Sequence, residues 1–263
     1  MKKISGKDNP TVKHITKLIK SSTYRKEQGS YIIEGIRLCT DALESHAEIQ
    51  TVVFSEKLTQ TNPKLMQSFV EVCESTLIFS DKLFSQISDT KTPQGILCIV
   101  KRTERKFSFE KNSIYLGLEH IQDPSNIGTI LRTAEALGIK GVIITKDSCD
   151  IFSPKVIRGT MGAIFRLPIY ECQNMAHEVQ KMNENQITTI ATTLHQKSIP
   201  ITAITEQQKQ SCAVIIGNEG NGLTPQTIHE CQIKAVIPMQ GRAESFNVSV
   251  ATAIILWELC RTK

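Results

Sequence analysis

The sequence predicts an α/β protein of two units, a smaller one at the N-terminus and a larger one built on a parallel sheet. Three observations carry that expectation. Short apolar runs alternate with amphipathic stretches along most of the chain, the pattern of strands and helices in turn. A charged segment, "KRTERKFSFEKNS" (101–113), breaks the alternation and reads as a linker. Apolar runs after it are longer and purer than those before it, as strands covered on both faces should be. A length of 263 residues suits one large or two modest domains, and the division falls at 1–105 and 106–263.

Ahead of the linker, "SYIIEG" (30–35), "IQTVVFS" (49–55), "TLIFS" (76–80) and "GILCIVK" (95–101) read as strands. Helices are expected over 35–45, over 63–74 with Pro63 at its first position, and near 81–88. Behind it, strands are expected at 114–118, 141–145, 167–170, 187–194, 212–217 and 233–239. Helices should cover 125–138, 154–162, 174–185, 224–231 and 247–261. No internal repeat interrupts the series.

Composition excludes several classes. Hydrophobic residues at 40% supply an ordinary core, and charged residues at 22% are too few for a disordered polyelectrolyte. The basic start "MKKISGKDNPTVKHI" has no apolar stretch behind it and does not read as a signal peptide. No apolar run approaches the roughly 20 residues that span a bilayer, so a soluble, cytoplasmic protein without a membrane partner is expected. Eight cysteines form no C-x-x-C pair and sit mostly in apolar runs, which reads as buried free thiols; no metal site is expected. Residues 1–40 carry nine Lys/Arg against three acids, a net of +6, so with +5 for the whole chain the other 223 residues carry −1. Such a segment suits a nucleic-acid backbone, or is simply a solvated helix face.

Three loops carry chemistry. In "DPSNIGTILRTAEALG" (123–138), Asp123 and Pro124 begin a helix whose buried stripe includes Ile127, Leu131 and Ala134. Asn126 and Gly128 stand at its start. Arg132 follows one turn later, either near a ligand or paired on the surface with Glu135. In "IIGNEGNGLTPQ" (215–226) a strand ends at Gly217, with Gly220 and Gly222 close behind. The spacing is not that of a dinucleotide loop, and Glu219 at its centre would repel a pyrophosphate. A nucleoside without phosphates or a cationic ligand fits better; a glycine-rich turn with a solvated Glu is the plainer reading.

The third loop lies in "VIPMQGRAESFNVSVATAIILWEL" (236–259), where a strand leads through Gly241 to Ser245, Asn247 and Ser249. Ser245 or Asn247 should cap the helix that follows. That helix is apolar on nearly every side, including Val250, Ala253, Ile254, Leu256 and Trp257, and must be buried in a core or against another subunit. A homodimer is expected.

Together these loops resemble the SpoU (TrmH) branch of the SPOUT RNA methyltransferases. N-x-G-x-x-x-R-x-A stands as Asn126, Gly128, Arg132 and Ala134; G-x-E-x-x-G stands as Gly217, Glu219 and Gly222. The third motif stands as Ile237-Pro238-Met239 and Ser245-Phe246-Asn247-Val248-Ser249, with Phe246 where leucine is usual. The segment "IFSPKVIRGTMGAIFRLPIY" (151–170) is also similar to the family. The first domain more loosely resembles its small RNA substrate-binding module.

The resemblance implies a deep trefoil knot and a homodimer. It implies S-adenosylmethionine held at Gly217, Gly222, Ile237, Met239 and Phe246. It implies methyl transfer to a ribose 2′-hydroxyl of RNA with Arg132, Asn126, Glu219, Ser245 and Asn247 at the reacting centre. Arginine stays protonated above pH 12, so Arg132 would stabilise charge rather than act as a literal base. Since minimal transfer-RNA members of the family it resembles often lack a module of about 100 residues in front, the resemblance favours ribosomal RNA over transfer RNA. A binder that keeps the fold without catalysis, and a nicotinamide oxidoreductase, are the rival readings.

Overall fold

The computed structural model describes residues 1–103, 107–194 and 197–261. The chain divides into two compact units, Met1–Glu104 with Asp150–Phe165, and Arg105–Cys149 with Arg166–Lys263.

The first unit contains β1 (Lys2–Ile4), α1 (Pro10–Lys20), α2 (Ser22–Gln28), β2 (Ser30–Glu34), α3 (Ile36–Glu44) and β3 (Ile49–Ser55). It continues with α4 (Glu56–Thr61), α5 (Pro63–Val70), β4 (Ser75–Phe79), α6 (Asp81–Ile87) and β5 (Ile96–Lys101). Its mixed sheet runs β1-β4-β3-β5-β2, with β5 antiparallel to both neighbours. Asn9 caps α1, Pro10 takes the first position, and Val12, Ile15 and Leu18 at helical spacing enter the core. Lys13, Lys17 and Lys20 lie on the exposed side of the same helix.

Arg25 is only 4% exposed, and its guanidinium reaches Asp150 Oδ2 at 2.6 and 2.8 Å. The same group donates to the carbonyls of Leu18 and Ile19 at 2.6 and 3.0 Å, two acceptors in the last turn of α1. With the Tyr31–Phe152 ring contact at 4.7 Å, this explains why Asp150–Phe165 packs in the first unit although it lies far along the chain.

The second unit contains β6 (Ile114–Leu118), α7 (Pro124–Ala136) and β7 (Gly141–Thr145). After α8 (Pro154–Thr160), which belongs to the first unit, come β8 (Ile169–Cys172), α9 (Met175–Glu184), β9 (Thr188–Thr192) and β10 (Ile199–Pro200). Then follow α10 (Glu206–Gln210), β11 (Cys212–Ile216), α11 (Pro225–Glu230), β12 (Ile233–Val236) and α12 (Val248–Cys260). All seven strands are parallel, in the order β10-β12-β9-β11-β6-β7-β8. Strands β6, β7 and β11 are buried at every residue, as their unbroken apolar sequences require.

Every strand and helix expected after the linker is present, with ends that coincide or differ by at most three residues. The strand expected at 233–239 stops at Val236, just before Ile237-Pro238, where the missing N–H and the restriction on the preceding residue end a ladder. Residues 104–106 of the expected linker lie outside the described residues. Beyond them, Phe107 and Phe109 pack on Tyr115 with ring centroids 5.8 and 5.3 Å away, so this stretch is anchored to the second core.

Within the single chain, helix α12 is covered on one side only. Val248, Thr252, Ile255, Leu256 and Leu259 are buried, but Val250 is 46% and Trp257 62% exposed. No described helix is long and apolar enough to cross a membrane. All eight cysteines are free thiols, six of them buried.

Candidate active site

In a parallel α/β sheet the loops after the carboxyl ends of the strands form the ligand crevice. Here the loops after β6, β11 and β12 contain the three sequence motifs, and one chain of hydrogen bonds joins them. The Glu219 carboxylate accepts from Asp123 N at 3.2 Å, Gln122 N at 3.3 Å and Asn126 Nδ2 at 3.0 Å. Because a carboxylate only accepts, the amide nitrogen of Asn126 must face it. That leaves Asn126 Oδ1 to accept from Asn247 Nδ2 at 3.1 Å. Asn247 Oδ1 in turn accepts from Ser249 N and Ser249 Oγ at 2.9 and 2.7 Å, which makes Asn247, not Ser245, the cap of α12. Each amide orientation follows from the one before it.

Partial burial pushes the Glu219 carboxyl up, but the Asn126 amide and the surrounding backbone N–H groups outweigh it. Its pKa lies below the ordinary carboxylate value. Asn126 itself is 6% exposed. Both of its polar ends are engaged, so it couples loops rather than presenting a free amide to solvent.

The glycine loop has a defined internal shape. Asn218 and Gly222 exchange N–H···O bonds at 3.0 Å each, and Gly220 N and Asn221 N donate to Asn218 Oδ1 at 2.9 and 3.0 Å. A Cβ at Gly217 would overlap the backbone of Gly222 and Leu223, so the folded loop admits only glycine there. Gly222 sits at φ +68°.

Other expected residues are placed differently. Arg132 is exposed on α7, about 9 Å along the helix axis from Asn126. The surface pair with Glu135 does not form: Glu135 instead accepts from Arg166 Nε at 2.7 Å. Among the described residues neither Arg132 nor Ser245 has a hydrogen-bond or ion-pair partner. Ile237 and Met239 are half-buried, and Phe246 is exposed. Among the described residues, the main-chain groups from Met239 to Phe246 bond to no other main-chain group.

Sequence reasoning missed Glu119. It stands in the apolar run "SIYLGLEHIQ" and is nearly inaccessible, yet it accepts from Thr224 N at 2.8 Å, Thr224 Oγ1 at 3.1 Å and Thr227 Oγ1 at 2.6 Å. A single acid at the end of a buried strand was the available signal.

These features define an α/β protein whose ligand loops converge at the carboxyl end of a parallel sheet. Comparison with known proteins narrows this. The profile of the SpoU rRNA methylase family matches residues 113–257, and that of the MRM3-like substrate binding domain matches residues 9–98. The chain belongs to the SpoU rRNA methylase family.

It is 29% identical over 259 residues to the 23S rRNA (guanosine(2553)-2′-O)-methyltransferase RlmP of Bacillus subtilis, covering 98% of this chain and 99% of that one. An uncharacterized tRNA/rRNA methyltransferase of Synechocystis is 30% identical, with 98% and 93% covered. The crystal structure of an AdoMet-bound rRNA methyltransferase from Sinorhizobium meliloti superimposes with a TM-score of 0.88 at 29% identity, covering 99% of this chain and 97% of that one.

Proposed function

We propose that this protein transfers a methyl group from S-adenosylmethionine to a ribose 2′-hydroxyl of ribosomal RNA. The observation that carries the reading is the Glu219–Asn126–Asn247 chain, which fastens together the three loops that define the family. The cofactor fits the residues present. No lysine or arginine lies in the loop 217–223, as suits a nucleoside without phosphate. Ile237 and Met239 offer an apolar wall, and main-chain groups near Phe246 are available as partners. Gly217, Gly222, Ile237, Met239 and Phe246 would hold the nucleoside.

When bound, S-adenosylmethionine supplies a methyl group activated by its sulfonium. The Arg132 guanidinium holds the developing charge on the 2′-oxygen, or an adjacent phosphate that takes the hydroxyl proton. Ser245 orients the ribose, while Asn126, Asn247 and Glu219 fix the loops around it. The exposed stripe of α12 from Val250 to Trp257 pairs with a second copy of the chain. The polypeptide around β11 and α12 is threaded as a deep trefoil knot, the enzyme works in the cytoplasm, and no step needs a metal. The lysine face of α1 meets the RNA backbone.

The test supplies labelled cofactor and unmodified ribosomal or transfer RNA transcripts, followed by digestion and mass spectrometry of the nucleosides. Ribose-methylated nucleosides from ribosomal RNA are expected. Label on transfer RNA would move the substrate, and label on a base would overturn the 2′-hydroxyl chemistry.

A further inference from the structure

We infer that Glu119 is the positioning residue that grips the cofactor loop at both ends, and that affinity for S-adenosylmethionine depends on it. The inference rests on the reading that residues 217–223 hold that cofactor.

Glu119 is the first residue after β6. Its N–H donates to the carbonyl of Ile216 at 2.9 Å, at the last residue of β11 before the loop begins. Its side chain turns to the other end of the same loop. There the carboxylate takes the Thr224 N–H and the hydroxyls of Thr224 and Thr227, where α11 starts. One residue thus fastens both ends of the seven-residue loop, the first through backbone and the second through side chain.

The side chain is expensive to keep where it is. Glu119 is 3% exposed, and among the described residues no cation pairs with it. A buried carboxylate without a counter-charge is retained only when donors satisfy it, and here three converge on its two oxygens. None of the three glycines of the loop would need such an anchor to form a turn. The Asn218–Gly222 bridge shapes the loop internally but does not set where its far end sits on the sheet; Glu119 does. Its neighbour adds to the grip, since Asn218 Nδ2 donates to the His120 carbonyl at 2.8 Å. A loop held in its binding shape before the ligand arrives loses less freedom when the ligand binds.

The test uses the full-length protein, with calorimetry of S-adenosylmethionine binding, steady-state methyl transfer and thermal unfolding on each variant. Glu119→Ala should raise both Kd and KM for the cofactor about tenfold or more, with kcat at saturating cofactor within about threefold of wild type. Glu119→Gln should recover most of the affinity, because its amide oxygen can accept the Thr224 N–H while its NH2 donates to a threonine hydroxyl. Should Glu119→Ala fail to fold, Thr227→Val removes one of the three bonds with little change of shape and should weaken cofactor binding severalfold. Wild-type binding alongside equal Kd values in Glu119→Gln, Thr227→Val and any folded Glu119→Ala, with only the melting temperature lowered, would make the role purely structural and overturn the inference. If the wild type binds no cofactor, the functional reading fails first and the inference falls with it.

Discussion

Asn247 Nδ2 donates to Asn126 Oδ1 at 3.1 Å, a bond between residues 121 positions apart that ties the start of α12 to the start of α7. Asn126 can accept it only because Glu219 has already turned its amide nitrogen the other way. Three stretches of sequence therefore share one orientation, and the arrangement fails as a unit when its middle member is changed.

Asn126→Ala removes both links and should lower kcat/KM by about a hundredfold, a loss typical of displaced positioning groups. Asn126→Asp should be worse at neutral pH, since two carboxylates would then meet where one bond of 3.0 Å now stands. A pair that shares one proton regains its contact in acid. The pH profile of kcat/KM should therefore shift towards lower pH for Asn126→Asp alone.

Glu219 gives a stability signature with a defined sign. Its folded pKa is lowered, so its contribution is fully present above the unfolded carboxyl value and is lost as pH falls through the folded one. The thermal midpoint should show no Glu219-dependent change between pH 6 and pH 8, about two units or more above the ordinary carboxyl range. In acid the wild type should lose stability more steeply than Glu219→Gln. Parallel acid limbs for the two proteins would count against this account of the carboxylate.

Much of this was legible in the sequence, and the limits have physical causes. Buried parallel strands such as "CAVIIG" announce themselves because both faces are apolar, and Pro–helix junctions mark where α7 and α11 begin. Helix α1 was less legible because its stripe of Val12, Ile15 and Leu18 is diluted by lysines, and α4 is only six residues long. The motifs named Asn126, Glu219 and Asn247, but not that they bond to one another. Glu119 escaped notice because hydroxyls, which leave no charge pattern, satisfy it. Arg25 likewise reads as one more basic residue of a charged segment until Asp150 is found beside it.

Arg25→Ala should cost about 3–5 kcal/mol, because it leaves a largely buried Asp150 carboxylate and two helix-end carbonyls without their donor. Arg25→Lys should recover little, since an ammonium cannot span the carboxylate and both carbonyls as a planar fork does. Denaturant unfolding of the three proteins checks this.

Burial pushes the thiols of Cys172 and Cys231 up to about 12. At pH 8 a thiol-specific reagent should leave both unmodified in the native protein and reach all eight cysteines after denaturation. Half-buried Cys149 and Cys260 should react first. Peptide mapping after timed alkylation gives the order directly.

Trp257→Arg places a charge on the exposed stripe of α12, where the wild-type ring is 62% exposed in the single chain. If that stripe is the pairing surface, light scattering should find a dimer for wild type and a monomer for the variant, with methyl transfer lost alongside. Two monomers of equal activity would remove the pairing from the account.

The most direct measurement is single-turnover transfer of labelled methyl to ribosomal RNA by wild type and Arg132→Ala, with cofactor binding measured on the same samples. The account predicts 2′-O-methylnucleoside from the wild type, and a loss of about a hundredfold or more in Arg132→Ala while cofactor affinity stays unchanged. Ribose methylation by Arg132→Ala at the wild-type rate would contradict it.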